Sequence, residues 1–287
     1  MKLNQRKNKV SIIIPSDKPL NQISRISYKH AIQQDYPNIE LIIFLNGITK
    51  NEYKEVVSYL DKNNIHNHDI INYYSRKRIS PGIARSKLIK ISKGNFIIFL
   101  DSDDIPNKQL ISKKIKLAIQ KNVDIICSSA YIFSNFEQYK NDFMRQRTYV
   151  VPLIILTLFL NSFVPLSVNL IPNSGTLIRK RKSNEFIFKN YPKNKHEDFI
   201  FYMNIIHHIN SIALIEEPLI AYYINRKTLT GNKIISKLWH AKAISNITNA
   251  SLLKSILLTI IGISFISPLI YVLEKMRILF KKNKKEI

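Results

Sequence analysis

The chain has 287 residues, of which 45% are hydrophobic and 22% charged, so it can bury a sizeable core in one large domain or two small ones. Lysine and arginine outnumber aspartate and glutamate by 44 to 20, and the formal net charge is +24 at pH 7. This charge favours a polyanionic partner such as nucleic acid, a phosphate-bearing substrate or an anionic membrane, although a chain whose lysines are only solvated would carry the same charge. The single cysteine, Cys127, excludes an internal disulfide and a zinc ribbon, and its apolar surroundings indicate a buried structural thiol.

Strand-like and helix-like segments alternate through the first part of the chain. The strand-like runs are rich in β-branched residues and lie at 10–14, 40–45, 69–74, 95–100 and 123–129. Helix-like stretches separate them near 20–34, 50–62, 82–93 and 107–121. Because the runs are apolar at consecutive positions, we expect strands covered on both faces, and their alternation with helices predicts an α/β fold with an open, mostly parallel sheet. Ligands of such sheets bind beyond the carboxyl ends of the strands.

The second half of the chain has a different pattern. An uncharged stretch at 149–172 precedes a short strand-like run at 174–180. An amphipathic helix that begins with acids is predicted at 196–209, and a returning pair of strands at 212–227. The predicted sheet therefore receives further strands from this half of the chain.

Three aspartates follow the apolar strand of the segment NFIIFLDSDDIP, at residues 95–106. Asp101, Asp103 and Asp104 repel one another, so a cation among them is expected. Carboxylates without nearby Cys or His ligands favour Mn²⁺ or Mg²⁺, which completes its shell with water and substrate phosphate oxygens. The segment therefore predicts a metal-bridged nucleotide diphosphate at the sheet edge. The structural alternative is that Asp103 or Asp104 caps the helix near residue 107.

Four segments resemble family 2 glycosyltransferases, in the order seen in that family: VSIIIPSDKP, QQDYPNIELIIFLNG, SPGIARSKLIKISKGNFIIFLDSDDIP and HEDFIFYMNII. The resemblance covers residues 9–230 and implies a GT-A fold, with a nucleotide-sugar half at 9–130 and an acceptor half at 131–230. It also implies a metal-dependent, inverting transfer from a nucleotide sugar, in particular a UDP-sugar, to a saccharide or lipid-linked acceptor in bacterial surface-polysaccharide synthesis. Mn²⁺ or Mg²⁺ would be the cofactor. Residues 1–8 are then a basic N-terminal tail.

The resemblance also implies roles for single residues on the donor side. Asp103 would ligate the metal, and Asp101 would contact the ribose or the donor sugar. Asn46 stands where the family usually has an aspartate that reads the nucleobase, and Ser86 replaces the usual asparagine of a G-x-A-R-N element. The other substrate-binding residues that it implies are Pro15, Ser16, Asp17, Gly82 and Arg85.

The segment HEDF carries the second pair of acids, Glu197 and Asp198, at the start of a predicted helix. Inverting transfer needs a carboxylate that takes the proton of the acceptor hydroxyl, and the helix dipole favours the ionised form there. The resemblance places this base at Asp198 and gives Glu197 a role in orienting the loop or binding acceptor; the alternative is an ordinary acidic first turn. Arg226 and Lys227 could neutralise the diphosphate or simply be solvated.

Residues 231–287 form a basic, apolar helical extension for which we expect membrane association. Its segment 255–273 has nineteen uncharged residues, just long enough to span a bilayer. Glycine, proline and hydroxyl residues lower its hydrophobicity, so we expect a monotopic segment in the cytoplasmic leaflet, with its lysines on anionic headgroups. A helical pair packed on the domain is the alternative. The expected location is cytoplasmic, peripheral or monotopic at the inner face of the cell membrane.

Two further functions compete with an enzyme. A nucleic-acid-binding protein would explain the charge of +24, but the sequence has no recognised nucleic-acid motif, and we predict no nucleic-acid partner. An inactive GT-A membrane scaffold is the other alternative, which the retained Asp103 and Asp198 disfavour because folding requires neither.

Overall fold

The computed structural model describes residues 8–62, 69–134, 148–149, 171–180, 188, 196–205, 208–209, 211–223, 233–266, 268–269 and 272. Its strands are β1 Val10–Ser16, β2 Ile39–Asn46, β3 Asp69–Ser75, β4 Phe96–Phe99, β5 Ile105–Pro106, β6 Ile125–Phe133, β7 Thr148–Tyr149, β8 Leu177–Arg179 and β9 Ile212–Tyr223. Its α-helices are α1 Gln22–Ile32, α2 Lys50–Lys62, α3 Pro81–Ile91, α4 Leu110–Gln120, α5 Glu197–Ile205, α6 Lys233–Thr248 and α7 Leu252–Ile261. The predicted alternation of strands and helices is confirmed.

The strands form one mixed sheet in the order β3-β2-β1-β4-β8-β6-β9-β5, with β7 paired to β6. Strands β3, β2, β1 and β4 are parallel neighbours, as the sequence predicts. Strand β8 comes from the second half of the chain and is inserted antiparallel between β4 and β6. The α/β class is therefore confirmed, while the parallel arrangement holds for the first half and the sheet as a whole is mixed. The insertion of β8 makes the two halves share one sheet.

Side chains of successive residues in the central strands point to opposite faces of the sheet. Ile13 of β1 packs in the layer that contains Leu88 of α3, whereas Ile12 and Ile14 pack in the layer that contains Tyr28 of α1. All three isoleucines are almost fully buried. Strands covered by helices on both faces need apolar residues at most positions, which explains the consecutive apolar runs. The buried polar exceptions Ser11 of β1 and Glu40 of β2 hydrogen-bond each other.

The predicted strand pair at 212–227 is wrong as far as the structure describes it, because Ile212–Tyr223 is one twelve-residue strand. Its register against β6 shifts between Ser128 and Ala130, opposite a segment that contains Pro218. Proline lacks the N–H that a regular ladder requires, so it is accommodated at an irregularity of this kind. The segment predicted as two strands is therefore one strand with a bulge.

The C-terminal extension begins with two helices joined at a sharp bend. Helix α6 packs against α5 and buries Ala243 and Ile244 in the core. Asn249 has a left-handed backbone (φ 56°), and Ser251 caps α7, so the chain reverses between the helices. Among the described residues, no single helix is long and apolar enough to cross a membrane, whereas Ser236–Thr248 and Leu252–Ile266 pass that test together but are bent by 120°.

Candidate active site

The carboxyl ends of β1, β2 and β4 meet at one edge of the sheet, where most of the predicted site residues lie. Asp17 follows β1, Asn46 ends β2, and Asp101 follows β4 by one residue. Pro15 and Ser16 are the last residues of β1, and Ser16 is buried. Helix α3 begins at the same edge and brings in the guanidinium of Arg85. The predicted donor-side residues are therefore neighbours in the fold.

Arg85 is the positive group among the acids of the site. Its Nη2 donates to Oδ1 of Asp101 at 2.5 Å, and the residue is only 7% exposed. Burial acts to lower the pKa of Arg85, but Asp101, Asp198 and Glu197 together outweigh it and the pKa is raised. One buried cation thus interacts with acids from β4 and α5, two segments nearly a hundred residues apart in the chain.

Aromatic rings pack against this guanidinium. The Arg85 guanidinium carbon lies 5.6 Å from the centroid of the Phe188 ring, which stacks on Phe201 at 4.2 Å. Ser86 donates its hydroxyl proton to the Phe188 carbonyl at 2.9 Å. Ser86, which replaces the family's usual asparagine, therefore binds the backbone of Phe188, the residue whose ring contacts Arg85.

Asp104 is a buried part of the structure around the site. Its carboxylate accepts a hydrogen bond from the Tyr223 N–H at 3.1 Å and also bonds Ser174. Burial, followed by repulsion from Asp103 and Asp101, raises the pKa of Asp104 well above its usual range. Helix α4 begins at Leu110 with no side-chain cap bond, so the helix-cap interpretation of these aspartates is wrong.

Asp103 is a partly buried acid of the same cluster. Its pKa is raised to about 6, first by burial and then by the charge of Asp101. No group of three or more His, Cys, Asp or Glu side chains within the described ranges is arranged to hold a metal by itself. A carboxylate edge of this kind fits a hard divalent cation that takes its other ligands from phosphate oxygens and water.

Glu197 is bound to the start of α3. Its Oε2 accepts the backbone N–H of Gly82, in the first turn of a helix that Ser80 caps through the Ile83 N–H at 3.2 Å. A Cβ atom at Gly82 would lie 2.6 Å from this carboxylate oxygen, so a larger residue there would displace the Glu197 side chain. The contact attaches α5, and with it the neighbouring Asp198, to the donor-side helix.

Replacing Gly82 by alanine should therefore lower both stability and activity. In an ordinary helix position this change stabilises by about 1 kcal/mol, but here the new methyl group displaces the Glu197 carboxylate, and we expect a net loss of about 1–2 kcal/mol. Urea unfolding and turnover of the sugar donor would measure the two effects. Lys87→Ala, at an exposed position of the same helix, is the matched control. A Gly82→Ala variant as stable and active as the wild type would contradict this packing.

Asn46 makes a specific contact with the loop before α3. Its Nδ2 donates to the Ile79 carbonyl at 2.7 Å, and its Oδ1 accepts the Ile79 N–H at 2.9 Å. Gly47 follows with φ of 73°, a left-handed conformation that suits glycine. Asn46 therefore holds the loop that carries Arg78, and base reading by this amide stays a prediction.

Sequence reasoning did not identify three residues that shape the site. Arg78 pairs with Asp17 across two loops. Ser174 accepts the Asp101 N–H at 3.1 Å, and buried Lys114 donates to the Gly175 carbonyl at 2.6 Å. These contacts join residues distant in sequence, and no motif marks them. The predicted residues Arg226 and Lys227, and the uncharged stretch 150–170, lie outside the described residues.

Known proteins match this chain in both sequence and structure. Residues 11–216 match the sequence profile described as glycosyl transferase family 2. The chain belongs to this family. The resemblance predicted from the four segments is confirmed, and so is the expectation of an enzyme: the protein is a glycosyltransferase.

Relatives of this family 2 glycosyltransferase differ in how much of their length they share with it. An uncharacterized glycosyltransferase of Haemophilus influenzae is 23% identical over 234 residues, which are 80% of this chain and 85% of the relative. The Escherichia coli enzyme UDP-Glc:alpha-D-GlcNAc-diphosphoundecaprenol beta-1,3-glucosyltransferase WfgD is 28% identical over 133 residues, 46% of this chain and 47% of that enzyme. The match to WfgD thus spans about half of each protein.

Solved structures support the fold of the family 2 glycosyltransferase. Residues 1–349 of S. aureus TarS in complex with UDP-GlcNAc superpose with a TM-score of 0.61 and 16% identity, covering 89% of this chain and 71% of that one. Glucosyl-3-phosphoglycerate synthase from Mycobacterium tuberculosis, in complex with Mn²⁺, UDP and glucosyl-3-phosphoglycerate, superposes with a TM-score of 0.56 and 13% identity, covering 86% and 82%. At these identities the likeness concerns the GT-A-like fold.

Proposed function

We propose that this glycosyltransferase transfers a sugar from a nucleotide diphosphate donor, most simply a UDP-sugar, to a saccharide acceptor, with inversion and with Mn²⁺ or Mg²⁺ bound at Asp103. The observation that carries the proposal is the position of Arg85. This buried cation interacts with Asp101 after β4 and with Asp198 on α5, so the donor-side and acceptor-side acids share one site. Asp101 and Asp198 belong to segments distant in the chain, so their interaction with the same guanidinium supports a common site.

On the donor side, the proposal gives each residue of the sheet edge a task. The carboxylate of Asp103 holds the divalent ion, which when bound stabilises negative charge on the diphosphate. Asp101 is held by Arg85 and by Ser174, so its free oxygen is positioned for the ribose or the donor sugar. Asp17, paired with Arg78 beyond β1, closes the nucleoside side of the site. Pro15, Ser16, Asn46 and Gly82 shape the backbone around it.

On the acceptor side, Asp198 is the general base. The acceptor oxygen attacks the anomeric carbon while its proton passes to the Asp198 carboxylate. The bond between the anomeric carbon and the diphosphate oxygen breaks, and its electron pair leaves with the diphosphate. Asp198 lies in the first turn of α5, close enough to Arg85 for the two charges to interact. Glu197, bound to Gly82, keeps the base at a fixed distance from the donor.

The acceptor in this proposal is linked to lipid and belongs to the synthesis of a bacterial surface glycan. The name of WfgD, a relative over 133 residues, describes transfer to a diphosphoundecaprenol-linked sugar. The net charge of +24 is also suited to an anionic membrane surface. The enzyme would then work at the cytoplasmic face of the cell membrane, as a peripheral or monotopic protein.

A panel of nucleotide sugars tests the proposed reaction. Purified protein should release UDP from one UDP-sugar, faster with a saccharide acceptor present, when Mn²⁺ or Mg²⁺ is supplied. Excess chelator should abolish turnover, and added Mn²⁺ should restore it. Full activity in chelator would refute the metal at Asp103, whereas turnover of no nucleotide sugar would refute the reaction itself.

A further inference from the structure

Helix α7 has its apolar side chains on the outside. Leu253 is 78% exposed and Leu257 is 59% exposed. Ile260 of α7 and Phe265 follow at similar spacing. Phe265 is 70% exposed and lies in the π-helical turn Gly262–Ile266 that follows α7. Steps of three to five residues place these side chains along one face of the helix. The other exposed apolar side chains of this extension are Leu238, Leu252, Ile261, Leu269 and Val272.

The inward face of α7 carries hydroxyl groups. Ser255 and Thr259 are buried against the rest of the protein. Each satisfies its hydroxyl within the helix, Ser255 on the Ser251 carbonyl at 3.1 Å and Thr259 on the Ser255 carbonyl at 2.9 Å. Leu258 of the same helix also packs against the core. A helix on the surface of a protein in water normally turns most of its large apolar side chains inward, whereas Leu253, Leu257 and Phe265 face outward here. The outward face of α7 therefore suits an apolar environment.

The charges around this face point to the kind of partner it contacts. From residue 218 to residue 273 the chain has no aspartate or glutamate but six lysines and arginines. Lys237, Lys242 and Lys254 are exposed on α6 and α7. Residues 275–285 add six more cations in sequence. A second copy of the chain would bring the same cations against each other, whereas a membrane surface with anionic lipids offers both apolar chains and negative headgroups.

We propose that the outward face of α7 and its π-helical turn lies in the headgroup and acyl boundary of an anionic bilayer. This membrane face is defined by Leu253, Leu257, Ile260 and Phe265, with the lysines of α6 and α7 at its border. The bend of 120° between the helices lets the pair lie along the surface instead of crossing it. The inference rests on the proposed function only for the idea that the acceptor is lipid-linked.

The membrane face is connected to the acidic pair of the site. The Nε2 atom of His196, the residue before Glu197 and Asp198, lies 3.0 Å from the Ser236 carbonyl oxygen of α6. The rings of His196 and His240 are in edge contact, with centroids 5.5 Å apart. Docking of the helix pair would thus fix how Asp198 faces the leaflet that holds the acceptor.

Point variants test this better than deletion, because α6 contributes Ala243 and Ile244 to the core. Full-length Leu253→Gln/Leu257→Gln/Phe265→Gln protein would be compared with the wild type by co-sedimentation with vesicles. The vesicles contain phosphatidylglycerol and phosphatidylcholine, or phosphatidylcholine alone. The apolar triple variant Leu253→Met/Leu257→Met/Phe265→Leu is the matched control. These side chains are exposed, so the fold should tolerate both sets.

We expect wild type and the control to bind the anionic vesicles, and the glutamine variant to bind about a hundredfold more weakly. The rate of UDP release, measured with a soluble saccharide acceptor in vesicle-free buffer, should be the same for all three proteins. Equal vesicle binding by the glutamine variant would overturn the inference. So would a wild-type dimer, seen by light scattering, that dissociates in that variant, because a second copy would then cover the face. Vesicle binding is measured without substrate, so its result does not depend on whether the proposed reaction occurs.

Discussion

Replacing Asp198 by asparagine should lower kcat by about a thousandfold while leaving the fold intact, because general-base catalysis is typically responsible for a factor of this size. Asparagine has nearly the same shape but cannot accept the proton of the acceptor hydroxyl. Arg85 keeps its direct partner Asp101 in the variant, so we expect little change in the free energy of unfolding. Initial rates at saturating donor and acceptor, together with urea unfolding, separate the two effects.

The matched control for this variant is Glu197→Gln, one residue earlier on the same helix. Glu197 accepts the Gly82 N–H at the start of α3, so a neutral amide there should weaken the packing of α5 on α3. We expect Glu197→Gln to lose stability and to retain much more turnover than Asp198→Asn. A Glu197→Gln variant that loses kcat as completely as Asp198→Asn, with unchanged stability, would instead assign the base to Glu197.

The first half of the fold could be predicted because its strands have a strong signal. Strands β1, β2 and β4 are buried on both faces, and runs of mainly apolar residues suit that environment. The short strand β8 lies within the predicted strand-like run at 174–180, but its position between β4 and β6 was not predicted, because it depends on pairing with residues far away in sequence. The mixed character of the sheet follows from that one insertion. Strand β9 was predicted as a pair of strands, whereas it is one strand with a register shift against β6 near Pro218.

The site shows the same limit. The positions of Asp101 and Asp103 follow from the end of a buried strand, so the sequence alone indicates them. The convergence of Asp198 on Arg85 depends on how α5 packs against α3, and only the resemblance to a family suggested it. Ser174 and Arg78 act through backbone and ion-pair contacts between loops, for which no spacing rule exists. Position in a parallel sheet is thus predictable, while the supporting contacts require the folded chain.

Within the predicted helical extension 231–287, hydropathy marks 255–273 as one apolar segment. In the structure α7 begins at Leu252, after a turn that hydropathy does not reveal. Ser255 and Thr259 lower the average hydropathy of the segment, but both are buried on its inward face, so the average understates how apolar the outward side chains are. Which side of a helix packs on the protein decides its contact with lipid, and that side is not given by composition.

The second large effect expected is on metal use. Asp103→Asn should lower turnover by about a thousandfold at a Mn²⁺ concentration that saturates the wild type, because a neutral amide holds a hard cation weakly. Asp104→Asn is the matched control: the pKa of Asp104 is raised well above its usual range, so this carboxyl is readily protonated and an amide resembles its neutral form. We expect Asp104→Asn to keep the metal requirement of the wild type.

Stability and pH give two readouts of Asp103 that do not depend on catalysis. Burial, then Asp101, raises the pKa of Asp103 to about 6 in the folded protein, so at neutral pH its charge opposes folding. Without metal, Asp103→Asn should therefore stabilise the protein by about 1–2 kcal/mol at pH 7, and this gain should shrink as the pH falls through 6 and the wild-type carboxyl takes up a proton. With metal, the half-saturating Mn²⁺ concentration of the wild type should rise over the same range, because protons compete for the carboxylate. The Asp103→Asn variant would contradict the proposal if it were stable and chelator-sensitive and bound Mn²⁺ with wild-type affinity. The metal would then have to be assigned to another residue, because the charge removed would have played no part in holding it.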